Sequence, residues 1–512
     1  MSQKLVRADT ILCGFHPDGS PDLRPDAAVL VEDGSIREIG DADALAAANP
    51  QAETVGGAGF VAIPGLVNAH HHVGLTPLQL GSPDHPLELW FASRLALRDV
   101  DPRLDTLYSA FEMIASGVTT VQHLHSRAPG GPEAVLATAE SVIGAYREIG
   151  MRASYSFAMR DQNRLVYEAD EAFLARVPAE VRPALADYFQ RFAMSLAEQI
   201  GVFHELRRRY RDDPSTAIQI APSNLHWLSD AALASAAEMA AETGAPVHMH
   251  LLETPYQKAY AQKRTGGSAL ACLERFGLTG PGLTIGHGVW MSEDDIDLCA
   301  HTGTHICHNC SSNFRLKSGL APVNRFTAKG IPVAIGIDEA GINDDRDMLQ
   351  EMRLVLDAHR EPGIDSPFPT AAGVLRMATE NGARTTPFAG RIGRIEAGRA
   401  ADIVLIDWKK TTWPYQNPDI PLIDVLVRRA RREAVDTVMI GGEVVYRQGR
   451  FTRIDRDAVL SEIHARMAQP LTPAEEARRQ LATDVMPFVR RFYDGYLDGM
   501  PREPHTMLNS RF

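Results

Sequence analysis

Two rhythms of apolar and polar positions alternate along this chain. From residue 1 to about 60 the runs are short and strand-like, VRADTILCG and then AAVLVEDGSIREIG, with Asp33-Gly34 marking a hairpin turn. The same rhythm returns in AADIVLIDW (400–408) and DTVMIGGEVVYRQGRF (436–451), where GGE reads as a turn between two strands. Neither patch can bury a core alone, so the two ends are expected to complete one small β-sandwich beside a central domain. Between them, apolar runs of strand length alternate with helical stretches, the pattern of a parallel sheet with crossover helices. Eight candidate strands can be read: LVNAH (66–70), VTTVQH (118–123), ASYSF (153–157), AIQIA (217–221), PVHMH (246–250), LTIGH (283–287), HICH (305–308) and VAIGID (333–338). Eight such units suit an α/β fold of the (β/α)8 TIM-barrel type better than an open sheet. The expected division is 1–62 with 382–455 as the composite sandwich, 63–381 as the barrel, and 456–512 as a C-terminal helical extension. A charged, largely helical stretch at 161–212 is expected to roof the barrel mouth, and the helical tail to pack on a neighbour or partner subunit.

Composition narrows the function. At 512 residues, 45% hydrophobic and 23% charged, the chain falls in the globular class, and no run approaches the ~18 apolar residues of a membrane-spanning helix. The start, MSQKLVRADT, has no apolar segment behind its basic residues, so a cytoplasmic location is expected. A net charge of −13 argues against nucleic acid as a partner and favours a small-molecule substrate, with no membrane role. The helical tail suggests a homodimer or higher homo-oligomer. Five cysteines, Cys13, Cys272, Cys299, Cys307 and Cys310, fit reduced thiols better than a disulfide framework. Cys307 and Cys310 form a lone C-X-X-C with no second pair, so packing or pocket lining is expected of them.

Six of the eight strand runs end in His or Asp. In a barrel the C-terminal strand ends carry the chemistry. Residues i and i+2 of a strand share a face, so His70 and His72 project together, with His71 on the other side. Alone, such a pair fits a metal site and a hydrogen-bonded pair equally well. With His250 and Asp338 it makes three imidazoles and a carboxylate, a donor set suited to one divalent ion per subunit, Zn²⁺ ahead of Fe²⁺. Such an ion activates water. Asp338 is then expected to take the water proton as well as contact the metal, Glu253 to act as general acid toward a substrate nitrogen, and His287 to stabilise developing charge. Trp90, Gln122, His123, His226, Trp227, Asn309 and Asn343 are candidate substrate contacts, His123 with His125 forming a second H-X-H, and Arg127 and Arg160 could meet an anionic group.

The segments PGLVNAHHH, GVTTVQH, VHMHLLET, IGHG, CHNCSSNFRLKSGLAPVNRFTAKGIPVAIGID, ATENGART and GRIGRIEAGRAADIVLID together resemble the amidohydrolase superfamily, in its cytosine-deaminase-like and triazine-hydrolase (ATZ/TRZ) branch. The resemblance extends to about residue 455. It implies a distorted (β/α)8 barrel, a β-sandwich from both chain ends, and a single divalent metal with no carboxylated lysine. Its H-X-H ligands match His70 and His72, its H-X-X-E motif His250 and Glu253, its strand-six histidine His287, and its G-X-D aspartate Asp338. This sequence departs from the pattern in three places. The frequent HCPXSN reads His308-Asn309-Cys310-Ser311-Ser312-Asn313, the usual TDG reads Ile337-Asp338-Glu339, and A-P-H reads Ala221-Pro222-Ser223. The last looks more like triazine-type hydrolases than purine-nucleoside deaminases, and all three leave the metal chemistry intact. The resemblance as a whole implies hydrolytic deamination of an aminated N-heterocycle of purine, pyrimidine or triazine type. Amide, urea or carbamate hydrolysis, or C–Cl hydrolysis, stands as the alternative, and a catalytically inactive barrel scaffold as the non-enzymatic one.

Overall fold

The computed structural model describes residues 3–81, 85–126 and 129–500. Strands from both chain ends join in one nine-stranded sheet. Its N-terminal members are Gln3–Phe15, Pro21–Glu32, Ser35–Asp41, Glu53–Gly56 and Phe60–Pro64, and its C-terminal members Ile403–Asp407, Val435–Ile440, Glu443–Arg447 and Arg450–Phe451. The ends meet where Phe60–Pro64 runs antiparallel to Ile403–Asp407, with Ile63 opposite Val404. Both predicted hairpin turns form, because each supplies two adjacent left-handed residues, Asp33-Gly34 (φ 47° and 84°) and Gly441-Gly442 (φ 55° and 77°). The turns also touch: a Cβ on Gly34 would lie 2.7 Å from the carbonyl oxygen of Gly441, so a larger residue is excluded there. One face of this sheet buries Val6, Ile11, Val29, Val31, Ala62, Ile403, Leu405 and Met439 in a common apolar cluster drawn from both ends of the chain.

The eight predicted central strands are all present, at Leu66–His71, Val118–His125, Arg152–Met159, Thr216–Ile218 with Ala221–Pro222, Val247–Leu251, Leu283–His287, His305–His308 and Val333–Ile335. All pair in parallel, but in two sheets rather than one continuous closed ladder. Between the sheets run only isolated bridges, His71 with Asp338 on one side and Ile220 with Val247 and Asn224 with His250 on the other. The shortness of the fourth and eighth strands explains the gaps. Asp338 lies three residues beyond its strand, in a left-handed conformation (φ 62°), and His287 ends its own strand at φ 74°. Such backbone costs roughly 1–3 kcal/mol per residue and recurs at functional sites.

The 161–212 stretch contains helices Asp170–Arg176, Arg182–Gln190 and Leu196–Tyr210, the last opened by a Ser195/Glu198 capping box. The tail forms helices Arg456–Met467 and Pro473–Tyr493. The second buries Leu481, Val485, Val489 and Tyr493, spaced by four so that they share one face. That face packs within the same chain, against Leu89, Ala92 and Leu95 and against Leu165, Phe173, Leu185 and Phe189 of the inserted stretch. Among the described residues no helix is long and apolar enough to cross a membrane. All five cysteines are buried and free.

Candidate metal centre

His70 and His72 extend from the first central strand, His250 from the fifth, and Asp338 follows the eighth. Their donor atoms converge. His72 Nε2 lies 3.1 Å from His70 Nε2, 3.1 Å from His250 Nε2 and 3.1 Å from Asp338 Oδ1, and His70 Nε2 lies 3.6 Å from the same oxygen. Ligand atoms about 2.0–2.1 Å from a zinc ion sit roughly 3.3 Å apart at the tetrahedral angle, so this spacing is that of one coordination shell.

The opposite ring nitrogens decide the tautomers. His72 Nδ1 donates to Leu124 O at 2.6 Å and His250 Nδ1 donates to Ser223 O at 2.8 Å, so in the neutral ring each Nε2 carries its lone pair aimed inward. Two such lone pairs 3.1 Å apart repel, and a cation between them removes the repulsion. His70 Nδ1 is paired with His248 Nε2 at 2.8 Å. Burial, reinforced by the neighbouring histidines, holds His70 and His250 well below the usual imidazole range. Burial is the largest influence on His72 and lowers it, but the bond and charge of Asp338, the charge of Glu339 and the bond to Leu124 O together outweigh it and raise the ring. Burial alone would raise Asp338, yet the bond and charge of His72, with His287 and His250, hold its carboxyl well below the usual range. Ser312 Oγ donates to Asp338 Oδ2 at 2.6 Å, fixing the carboxylate. Three imidazole nitrogens and one ionised carboxylate fit a divalent ion such as zinc, which would take the place of the proton that His72 shares with Asp338.

Glu253 and His287 stand alongside. His287 Nε2 is 3.7 Å from Glu253 Oε2 and 3.7 Å from Asp338 Oδ2, and its Nδ1 donates to Asn313 Oδ1 at 2.8 Å. Ser318 Oγ donates to Glu253 Oε1 at 3.3 Å. Burial pushes the Glu253 carboxyl up, against the opposing pull of His287, which favours the protonated form a general acid needs.

These groups open into a cavity roofed by the insert and by helix Leu87–Ser93, with Trp90, Phe91, Arg94, Phe157, Arg160, Leu165, Tyr188, Phe192, Trp227 and Glu339 among its lining residues. Of the candidate substrate contacts, Trp90 and Trp227 line it, and Gln122, His123, His226, Asn309 and Asn343 do not. His226 and Trp227 are neighbours in a single turn of 3₁₀ helix, which sends Trp227 into the cavity and sets His226 against Tyr167, the ring centroids 3.9 Å apart and the planes tilted by 33°. His123 is turned to Tyr146 and His125, at 2.8 Å and 3.2 Å. Gln122 is fully buried in its strand, Asn309 Nδ2 lies against His287 at 3.3 Å from Nε2, and Asn343 is exposed and bonded to Gln350. Arg160 lies over Trp227 at 4.5 Å, whereas Arg127 is outside the described residues. Arg94 and Glu339 escaped the sequence reading, although Glu339 was visible there as the carboxylate in place of glycine.

A family model described as the amidohydrolase family matches residues 61–445, and one described as an imidazolonepropionase-like composite domain of bacteria matches residues 27–52. The chain is 30% identical over 476 residues to a 5-methylthioadenosine/S-adenosylhomocysteine deaminase from Syntrophobacter fumaroxidans, across 91% of this chain and 99% of the relative. Among solved structures, a zinc-bound adenosine deaminase from Xanthomonas campestris is 26% identical, with a TM-score of 0.71 over 94% of this chain and 99% of that one. The zinc complex of an atrazine chlorohydrolase from Arthrobacter aurescens TC1 is 21% identical, with a TM-score of 0.77 over 90% and 99%, a likeness of fold alone.

Proposed function

The chain belongs to the amidohydrolase family, and from that premise we propose that it is a zinc-dependent hydrolase that removes ammonia from an aminated nitrogen heterocycle. The observation that carries the proposal is the convergence of three imidazole nitrogens and one carboxylate oxygen, with the His72 nitrogen 3.1 Å from each of the others, beside Glu253 and His287. His70, His72, His250 and Asp338 would hold the ion. Bound zinc, the metal named for both solved neighbours, supplies Lewis acidity toward water and toward the reacting ring.

The chain's own groups move the protons. Asp338, held by Ser312, takes one from the attacking water. Glu253 delivers one to the departing nitrogen, the exocyclic C–N bond breaks, and ammonia leaves with the water oxygen retained on the ring carbon. His287 faces both carboxylates and stabilises the charge that develops between them. Trp90 and Trp227 offer aromatic faces to a planar ring. In this proposal residues 63–381 form a (β/α)8 barrel carrying the centre at its C-terminal strand ends, 1–62 with 382–455 form a β-sandwich flank, and 456–512 form the extension.

Deamination is preferred to amide, urea or C–Cl hydrolysis because the 30% and 26% identical relatives are named deaminases. The test is release of ammonia, amine or chloride from a panel of aminated and chlorinated heterocycles, ureas and amides by zinc-loaded and chelator-stripped protein. Ammonia from a heterocycle, lost on chelation and restored by zinc, supports the proposal. Amine or chloride release without ammonia, or turnover that survives chelation, contradicts it.

A further inference from the structure

Two charged residues beside the centre take no part in the chemistry above. Glu339 directly follows Asp338, at the position where the TDG pattern has glycine. Arg346 pins its backbone, donating through Nη2 to Glu339 O at 2.7 Å and to Val73 O at 3.0 Å. The Glu339 side chain lines the cavity at 6% exposure, and neither carboxylate oxygen has a hydrogen-bond partner among the described residues. Arg94 lines the same cavity, at 5% exposure. Its guanidinium lies over Trp90 at 4.9 Å and Phe91 at 5.5 Å, and Nη2 donates to Ser126 Oγ at 3.0 Å, while Nε has no partner among the described residues.

Arg94 and Glu339 approach each other only to 3.6 Å, too far for a hydrogen bond. Buried charges in an incompletely bonded pair are costly, and cavity-facing groups of this kind are satisfied by what enters the cavity. The other cavity arginines differ, since Arg164 holds Asp170 at 2.6 Å and Arg160 donates to the backbone oxygens of Gln162 and Asn163. Set 3.6 Å from a guanidinium, which only donates, the Glu339 carboxyl is the accepting half of the pair. A ring edge that completes both must present an N–H next to an acceptor, in addition to the amine that is lost.

We propose that Glu339 and Arg94 are a specificity pair that reads the cis-amide edge of a lactam, so that the substrate is an amino-oxo heterocycle. Glu339 accepts from the ring N–H and Arg94 donates to the adjacent carbonyl. A ring whose only N–H bonds belong to the reacting amine, such as an N9-substituted 6-aminopurine, leaves the carboxylate unpaired and is discriminated against. This inference rests on the deamination proposed above, and it separates this chain's substrate from the N9-substituted adenine type.

The test compares ammonia release from 9-methylguanine and cytosine, which carry the lactam edge, with release from 9-methyladenine, which does not, using zinc-loaded protein. The wild type is expected to favour one or both lactam rings by at least roughly tenfold in kcat/KM. Glu339→Gln and Arg94→Met should each shrink that preference at least tenfold. Equal or better use of 9-methyladenine by the wild type overturns the proposal, as does an equal fall on all three rings in both variants. If no ring yields ammonia, deamination itself fails, and quenching of tryptophan fluorescence by xanthine, a lactam without an amine, decides the pair separately. Xanthine binding weakened at least tenfold by Glu339→Gln then supports the recognition, and unchanged binding or none to the wild type overturns it.

Discussion

Glu88 lies on helix Leu87–Ser93, the element that presents Trp90 to the cavity, and its carboxyl is 4% exposed. Oε1 accepts from Thr254 Oγ1 at 2.5 Å and from Tyr167 Oη at 3.0 Å, while Oε2 has no hydrogen-bond partner among the described residues. Burial dominates these two bonds and pushes the carboxyl from 4.5 up to about 7. The folded protein therefore holds a proton here that the unfolded chain has already lost between those values, so this group's contribution to stability falls as pH rises from 4.5 to about 7 and is flat above. At about 1.36 kcal/mol per pKa unit, the ionised carboxylate costs on the order of 3 kcal/mol at pH 8. Glu88→Gln keeps the acceptor oxygen and mimics the neutral acid. The variant should match the wild type near pH 5 and exceed it by up to about 3 kcal/mol at pH 8, read as the difference in urea midpoints across a pH series. A variant equally destabilised at every pH, or a difference that does not grow between pH 5 and 7, would refute the claim that the folded state keeps Glu88 protonated.

Two further outcomes follow from the centre. Glu253→Gln should lower kcat by about 10²–10⁴-fold while zinc content stays at the wild-type level, because Glu253 moves a proton and is not a ligand; zinc loss in parallel with activity would contradict that role. Gly336→Ala should impair zinc retention as measured by metal analysis after dialysis, because its Cβ would meet Asn309 Oδ1 at 2.4 Å and His70 Cβ at 2.5 Å, and full retention would show that the His70 backbone can yield.

The central strands were legible because each is an apolar run of strand length separated from the next by a helical stretch, and both hairpin turns because their Asp-Gly and Gly-Gly pairs admit positive φ. The convergence of His70, His72, His250 and Asp338 was legible for a related reason: side chains at the ends of parallel strands are brought to one rim whatever the intervening sequence. Cavity lining was not. Trp90 and Trp227 were named in advance, but Arg94 and Tyr188 come from helices whose placement depends on packing against the distant tail helix Pro473–Tyr493, a tertiary fact with no local periodicity. That only Trp227 of the candidate pair His226 and Trp227 lines the cavity has the same origin, since one turn of 3₁₀ helix decides which of two adjacent rings faces inward. Nor does any pattern within either chain end announce the pairing of Phe60–Pro64 with Ile403–Asp407, some 340 residues away.

The claim on which the rest depends is that one ion is held by three imidazoles and Asp338. Anomalous scattering at the zinc edge from crystals of zinc-loaded protein tests it most directly. A single strong peak is expected within about 2.0–2.2 Å of the Nε2 atoms of His70, His72 and His250 and of Asp338 Oδ1. A principal peak at the separate buried group of His308, Cys310 and His359, or none among the four proposed ligands, would contradict the account.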